Sequence, residues 1–210
     1  MDFQFVPGKT VEVPEIPYED EVGLPLDDTA VIVVDMQNDF VHENGSLVVP
    51  AARETVPNIQ RLLAAAREVD VPVVYTQDTT FPDDLEFDIW PEHCLQGTWG
   101  WEIVKELEPQ PEDLIVPKSR YDAFYESWLD HFLTRIWQVH SLVIVGTVSN
   151  ICVAHTCASA GLRWYHIVMP ANGVSALTAF DQALTLRQVS WLYGGHVVRD
   201  VGDILLIEGT

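Results

Sequence analysis

A cysteine, an aspartate and a lysine stand at the ends of three apolar runs, and these residue types together can carry out nucleophilic attack on a carbonyl carbon. Cys152 closes the segment Gly146-Thr-Val-Ser-Asn-Ile-Cys152, which leads from an apolar stretch into a helical one. In the first turn of a helix, unpaired backbone N–H groups and the helix dipole favour a thiolate. Ser149 or Asn150 is placed to cap that helix. Asp35 ends the uncharged run Ala30-Val-Ile-Val-Val34, where a carboxylate has to be paired or hydrogen-bonded. Lys118 follows Asp113-Leu-Ile-Val-Pro117. Each has a plainer local reading: Cys152 as a buried hydrophobe, Asp35 as a backbone hydrogen-bond acceptor, Lys118 as a surface residue with Arg120 as the functional cation.

The elements that must position these groups follow from periodicity. The β-branched run 30–34 reads as a fully buried central strand. Residues 54–69 carry Ile59, Leu62, Leu63 and Ala66 at helical spacing, and 71–76 reads as a second strand. A long polar and aromatic stretch, 77–97, follows; a loop of that length in a compact domain is usually functional. The pattern continues with a short helix over 99–107, a strand over 113–116 and a helix over 126–139. A strand over 142–145, a helix over 151–162, a strand over 164–169, a helix over 178–191 and a final strand over 196–199 complete it. Strands alternating with helices predict a three-layer α/β/α domain with a mostly parallel central sheet of five to six strands. Ligands in such folds bind beyond the carboxyl ends of the strands, where Asp35 and the 147–152 segment both fall. Residues 1–28, with Pro7, Pro14, Pro17 and Pro25 among acids, read as an N-terminal arm, and residues 29–210 as a single domain.

Composition narrows the partners. The chain has 210 residues, 48% of them hydrophobic, which suits one sizeable core. Against 32 acidic residues stand 11 basic ones, a formal charge of −21 that opposes binding to nucleic acid or to an anionic membrane. The longest apolar runs are strand-length, and no basic, apolar leader opens the sequence. Three cysteines are too few for a disulfide scaffold at this size, so a reducing cytoplasm is the expected compartment.

Three stretches, taken in order, carry a resemblance: Val31-Ile-Val-Val-Asp-Met-Gln-Asn-Asp-Phe40, Lys118-Ser-Arg-Tyr-Asp-Ala-Phe124 and Gly146-Thr-Val-Ser-Asn-Ile-Cys-Val153. The chain resembles the isochorismatase-like cysteine hydrolases, a family that includes nicotinamidases, carbamoyl-group amidases and isochorismatases, over about residues 28–200. The resemblance implies that Asp35, Lys118 and Cys152 form the catalytic triad. It also implies a non-proline cis bond at Val148–Ser149 and an oxyanion hole made by the Val148 and Cys152 amides. Asp35 would then take the thiol proton and return it to the leaving nitrogen, and Lys118 would favour the thiolate, whose ordinary pKa is about 8.5. A homodimer or larger homo-oligomer is also implied.

The segment Trp90-Pro-Glu-His-Cys-Leu-Gln-Gly-Thr98 is similar to the metal and substrate region of nicotinamidases, which place an Asp-x-His and a further histidine before it. Here Asp78 matches, Thr80 stands at the first histidine position and Asp84 near the second, while His93 remains. Asp78, Asp84 and His93 are the metal candidates. This oxygen-rich set suits Mg²⁺ or Mn²⁺, or no metal, better than Zn²⁺, and the alternative is that Asp78 and His93 are hydrogen-bonding loop residues. The nucleophilic chemistry itself requires no cofactor. Asn172 stands where many relatives carry an aspartate. Of the aromatics near the expected pocket, Phe40, Trp99 and Phe124 are its candidate lining residues, with Phe124 favoured to stack on a planar substrate. The expected activity is hydrolysis of a small amide or ureido compound through a thioester. The alternatives are an isochorismatase-type vinyl ether hydrolase and a noncatalytic binding or assembly protein on the same fold.

Overall fold

The computed structural model describes residues 13–209. Its strands are β1 (Tyr18–Glu19), β2 (Val22–Pro25), β3 (Thr29–Val34), β4 (Val73–Asp78), β5 (Leu114–Lys118), β6 (Ser141–Thr147), β7 (His166–Pro170), β8 (Val174–Ser175), β9 (His196–Val198) and β10 (Ile204–Ile207). The helices are α1 (Asn38–Val41), α2 (Ala52–Glu68), α3 (Leu129–His131), α4 (Ala154–Leu162) and α5 (Ala179–Leu192). A parallel sheet runs in the order β1-β9-β7-β6-β3-β4-β5, with β8 pairing beside β6. That is more than the five to six strands read from the sequence, because β1 and β8 have only two residues each and leave no periodic signal. β2 and β10 form a separate parallel pair.

Every residue of β3 is buried, since the sheet is covered on both faces. Val31 and Val33 pack toward Ile59, Leu62, Leu63 and Ala66 of α2, the stripe its spacing predicts. Ala30, Ile32 and Val34 pack on the opposite side with Val153, Cys157, Leu186 and Val189. The chain builds β3, β4 and β5 outward in one direction and then returns to place β6 on the other side of β3. This switch opens a crevice at the carboxyl ends of β3 and β6. Gly146 closes the approach: its φ is +116°, and a Cβ there would lie 2.1 Å from the Val34 carbonyl oxygen.

Residues 99–107 do not form the expected helix; only Lys105–Leu107 makes a single tight turn. Their backbone groups are taken by tertiary bonds instead. The Gln37 and Gln77 side-chain amides both donate to the Trp101 carbonyl, at 2.8 and 2.9 Å, and Asn38 N–H donates to the Glu102 carbonyl at 2.9 Å. The helix expected over 126–139 shrinks to α3 and one wide turn, Phe132–Ile136. Glu126 and Gln138 have φ of +49° and +55°, which no right-handed helix accepts. Within the described part of the N-terminal segment, Tyr18–Glu19 extends the main sheet and Val22 and Leu24 are buried, so residues 18–25 are built into the fold; residues 1–12 of the expected arm lie outside the described residues.

Candidate active site

The carboxyl ends of four neighbouring strands meet at one place. Asp35 follows β3, Asp78 and Lys118 end the paired strands β4 and β5 opposite each other, and Cys152 lies in the wide turn Ser149–Val153 after β6. Lys118 Nζ is 2.7 Å from Asp35 Oδ2, 3.1 Å from Asp78 Oδ1 and 3.5 Å from Cys152 Sγ. It also donates to the Arg120 carbonyl at 3.1 Å. All four side chains are buried. Asp35 takes a left-handed φ of +49°, its N–H donates to Thr76 Oγ1, and its Oδ1 accepts the Thr76 hydroxyl at 2.6 Å. Apart from the Lys118 ammonium, Asp35 Oδ2 has no partner among the described residues and so keeps a lone pair open.

Burial decides the direction of the shift at Cys152 and Asp35, and neighbouring charges decide it at Lys118 and Asp78. Burial pushes the Cys152 thiol well above its ordinary range; Lys118 opposes this, while Asp35 and Asp78 add to it. The resting group is therefore the thiol, and the thiolate expected from a helix start is not the resting form. Cys152 lies before the first regular turn of α4 and out of solvent. Burial likewise raises the Asp35 pKa, against the pull of Lys118. Desolvation works against the Lys118 ammonium, but Asp35, Asp78 and Cys152 together outweigh it and raise its pKa.

The metal candidates separate. His93 Nε2 faces Asp78 Oδ2 at 3.4 Å, and His93 Nδ1 donates to the Pro91 carbonyl at 2.7 Å. Burial lowers the His93 pKa, but Asp78 and the Pro91 carbonyl more than offset it, and the net rise favours the charged ring. Burial also raises the Asp78 pKa, and Lys118 and His93 overcome it to hold that carboxyl below its usual range. Both Asp78 oxygens thus face cations. Asp84 points elsewhere: its Oδ1 accepts from Glu86 N–H at 2.9 Å, capping the turn Leu85–Asp88, and its Oδ2 is 3.4 Å from Arg120. Among the described residues no three of His, Cys, Asp and Glu converge as a metal site. Asp78 and His93 face each other, but Asp84 is not gathered with them around one point.

The site opens into a small cavity of about 50 Å³. Cys152 and Val148, whose amides are the expected oxyanion donors, both line it, as does Phe40. Two expected lining residues do not. Trp99 is half exposed, with its ring edge-on to His42 at 5.0 Å. Phe124 is buried beside Tyr165, with the Arg163 guanidinium 4.7 Å above its ring, and is not among the residues that line the cavity. The same loop turns Tyr121 to the cavity instead, where its hydroxyl accepts from the Trp90 indole N–H at 3.0 Å. The cis peptide also moves by one residue, to Thr147–Val148 rather than Val148–Ser149: β6 ends at Thr147, and Ser149 already begins the following turn.

Glu86 is the charged lining residue the sequence did not single out. It is 6% exposed, and its Oε2 has no hydrogen-bond partner among the described residues. Its neighbours Asp83, Asp84 and Asp88 are all acidic, so charge alone gave no sign of which one turns inward. Asn172 holds backbone and loop rather than the cavity: its Oδ1 accepts from Val201 N–H at 3.0 Å and its Nδ2 donates to Asp200 at 2.7 Å.

A doubly covered parallel sheet with a buried cysteine, lysine and aspartate at its switch point defines an α/β hydrolase of the cysteine type. The Isochorismatase domain model matches residues 29–200, and the chain belongs to that family. It is similar to ureidoacrylate amidohydrolase RutB of Rhizobium rhizogenes, at 31% identity over 89% of this chain and 86% of the relative. Among solved structures it is similar to nicotinamidase PncA from Bacillus subtilis, with a TM-score of 0.78, 29% identity, and coverage of 82% of this chain and 99% of the other. The N-carbamoylsarcosine amidase from Thermoplasma acidophilum superposes with a TM-score of 0.75 at 34% identity, covering 82% and 96% respectively.

Proposed function

We propose that this chain is a cysteine amidohydrolase that cleaves the C–N bond of a small amide or ureido compound through a covalent intermediate on Cys152. The observation that carries the reading is the buried thiol of Cys152, which lines a narrow cavity, 3.5 Å from an ammonium that also lies 2.7 Å from Asp35. Relatives named ureidoacrylate amidohydrolase and nicotinamidase support the reaction class.

The steps follow from the protonation states. As a substrate carbonyl enters, the thiol proton passes to Asp35 and the sulfur attacks the carbonyl carbon, forming a C–S bond. The carbonyl electrons move onto oxygen, where the Val148 and Cys152 N–H groups receive the oxyanion. Collapse breaks the C–N bond, and the nitrogen leaves with the proton from Asp35. A water then gives a proton to Asp35 and attacks the thioester, or the thiocarbamate for a ureide; the acid leaves and the thiol is restored. Lys118 keeps its proton throughout and balances the charge that moves between Asp35 and sulfur. No step passes through a metal. An anionic vinyl ether such as isochorismate would need compensating cations in the cavity, and the described lining residues include no lysine or arginine.

Ammonia release from nicotinamide, pyrazinamide, N-carbamoyl compounds and ureidoacrylate tests the reading. Turnover of at least one compound by the native protein, lost in Cys152→Ala with the fold retained, is the expected result; turnover that survives in Cys152→Ala would overturn it. The homo-oligomer is likewise a proposal, read by sedimentation: a mass above that of one chain is expected, and a monomer at high protein concentration would contradict it.

A further inference from the structure

Glu86 has no part in the steps above, yet its carboxyl group is buried in the wall of the same cavity. Its Oε2 has no hydrogen-bond partner among the described residues, and the nearest cation, Arg120 Nη1, is 3.7 Å away. Arg120 is shared with Asp84 at 3.4 Å and also donates to the Ser119 carbonyl, so its charge is already matched by acids. A buried polar group left unpaired is costly, and a ligand that supplies its missing partner recovers that cost. The turn that holds Glu86 is fixed by the Asp84 cap and by Trp90 N–H, which donates to the Glu86 carbonyl at 3.0 Å. Position and orphaned acceptor therefore belong to a built feature, not to a loose side chain.

The rest of the wall has the same bias. The described lining residues carry Asp78 and Glu86 as acids, His93 as the only basic side chain, and apolar groups such as Phe40, Val49, Ile151 and the exposed Leu177. His93 is neutralised by Asp78 and Lys118 by Asp35. A substrate carboxylate would find an unmatched negative charge and no free cation, whereas substrate N–H groups would find an acceptor.

We propose that Glu86 makes this cavity select uncharged amides and ureides over carboxylate-bearing ones, its carboxylate accepting hydrogen bonds from substrate N–H groups and repelling a substrate anion. The proposal rests on the amidohydrolase reading and extends it to a substrate class. Burial, and then Asp78, raises the Glu86 pKa, so the selection strengthens as pH rises and Glu86 loses its proton. The groups facing it are Asp78, His93, Arg120 and Lys118. Asp78 is held low, Lys118 high and arginine charged, while the His93 pKa is shifted upward, so His93 is the other facing group whose charge changes as pH rises.

Succinamate and 4-oxopentanamide differ only in a carboxylate against a methyl ketone of the same shape. Their affinities for Cys152→Ala, measured by calorimetry between pH 6 and 9, test the selection without turnover. The expected result is tighter binding of the neutral amide by about tenfold or more, a ratio that grows with pH and falls below about threefold when Glu86→Gln is added. Equal affinities, preference for succinamate, a ratio that Glu86→Gln leaves unchanged, or no binding of either compound would overturn the proposal. Should Glu86→Gln fail to fold, Leu177→Lys supplies a cation without touching Glu86 and is expected to raise succinamate affinity selectively; no change would count against the proposal. Ammonia release from the same pair by the native protein reads the chemistry separately: selective binding without release would sink the amidohydrolase reading and leave the selection standing.

Discussion

At Cys152, burial and the Lys118 ammonium act with opposite sign, and burial prevails. A neutral resting thiol places the weight of activation on Asp35, whose open Oδ2 is the natural acceptor. Asp35→Asn keeps the size but removes the base, and should lower kcat by about 10²–10⁴-fold with little change in KM; a steady-state comparison checks it, and near-native kcat would remove Asp35 from the proton path. His93 gives a second prediction. Its folded pKa lies above the ordinary 6.5, so its contribution to stability is complete below that value and is lost as pH rises through the folded pKa. The Tm gap between the native protein and His93→Ala should therefore narrow from pH 6 to pH 9, as thermal unfolding will report; a gap that widens would reverse the assignment. Asp35 and Lys118 were marked by the apolar runs they follow and Cys152 by its place between a strand and a helix, but only the resemblance carried by the three motifs joined them into one set. Glu86 and Phe124 were not legible, since side-chain direction within a loop has no period to reveal it.

The strands act as a template whose registry aligns the reacting groups. Val34 pairs with Gly146 and Asp78 with Lys118, so the site is level across four strands. Gly146 is what allows β6 to pass so close to β3. Gly146→Ala would force a Cβ against the Val34 carbonyl at a left-handed φ, and should cost about 3 kcal/mol or more. Urea unfolding measures this; a loss under about 1 kcal/mol would show that the two strands can part without consequence. A long periodic element such as α2 was legible from spacing alone. The stretch 99–107 was not, because Gln37 and Gln77, 64 and 24 residues before Trp101, hold its backbone, and no local pattern records such distant partners.

Across the whole molecule, the acidic excess of 32 against 11 residues works against compaction by self-repulsion. Raising ionic strength from about 0.01 to 0.15 M shortens the screening length from about 30 to 8 Å. Tm should rise over that range, and calorimetry that shows a fall would mean surface ion pairs outweigh the repulsion. The three-layer architecture was legible from the alternation of strands and helices, while its outer strands β1 and β8 were too short to announce themselves. No described helix is long and apolar enough to cross a membrane. Fold, registry and charge converge on one atom, the sulfur of Cys152. Acid-quenched mass spectrometry of the protein turning over an amide reads that atom directly. An acyl or carbamoyl adduct confined to the peptide that contains Cys152, removed by hydroxylamine, is the expected result; an adduct on Cys94 or Cys157, or turnover that never loads Cys152, would contradict it.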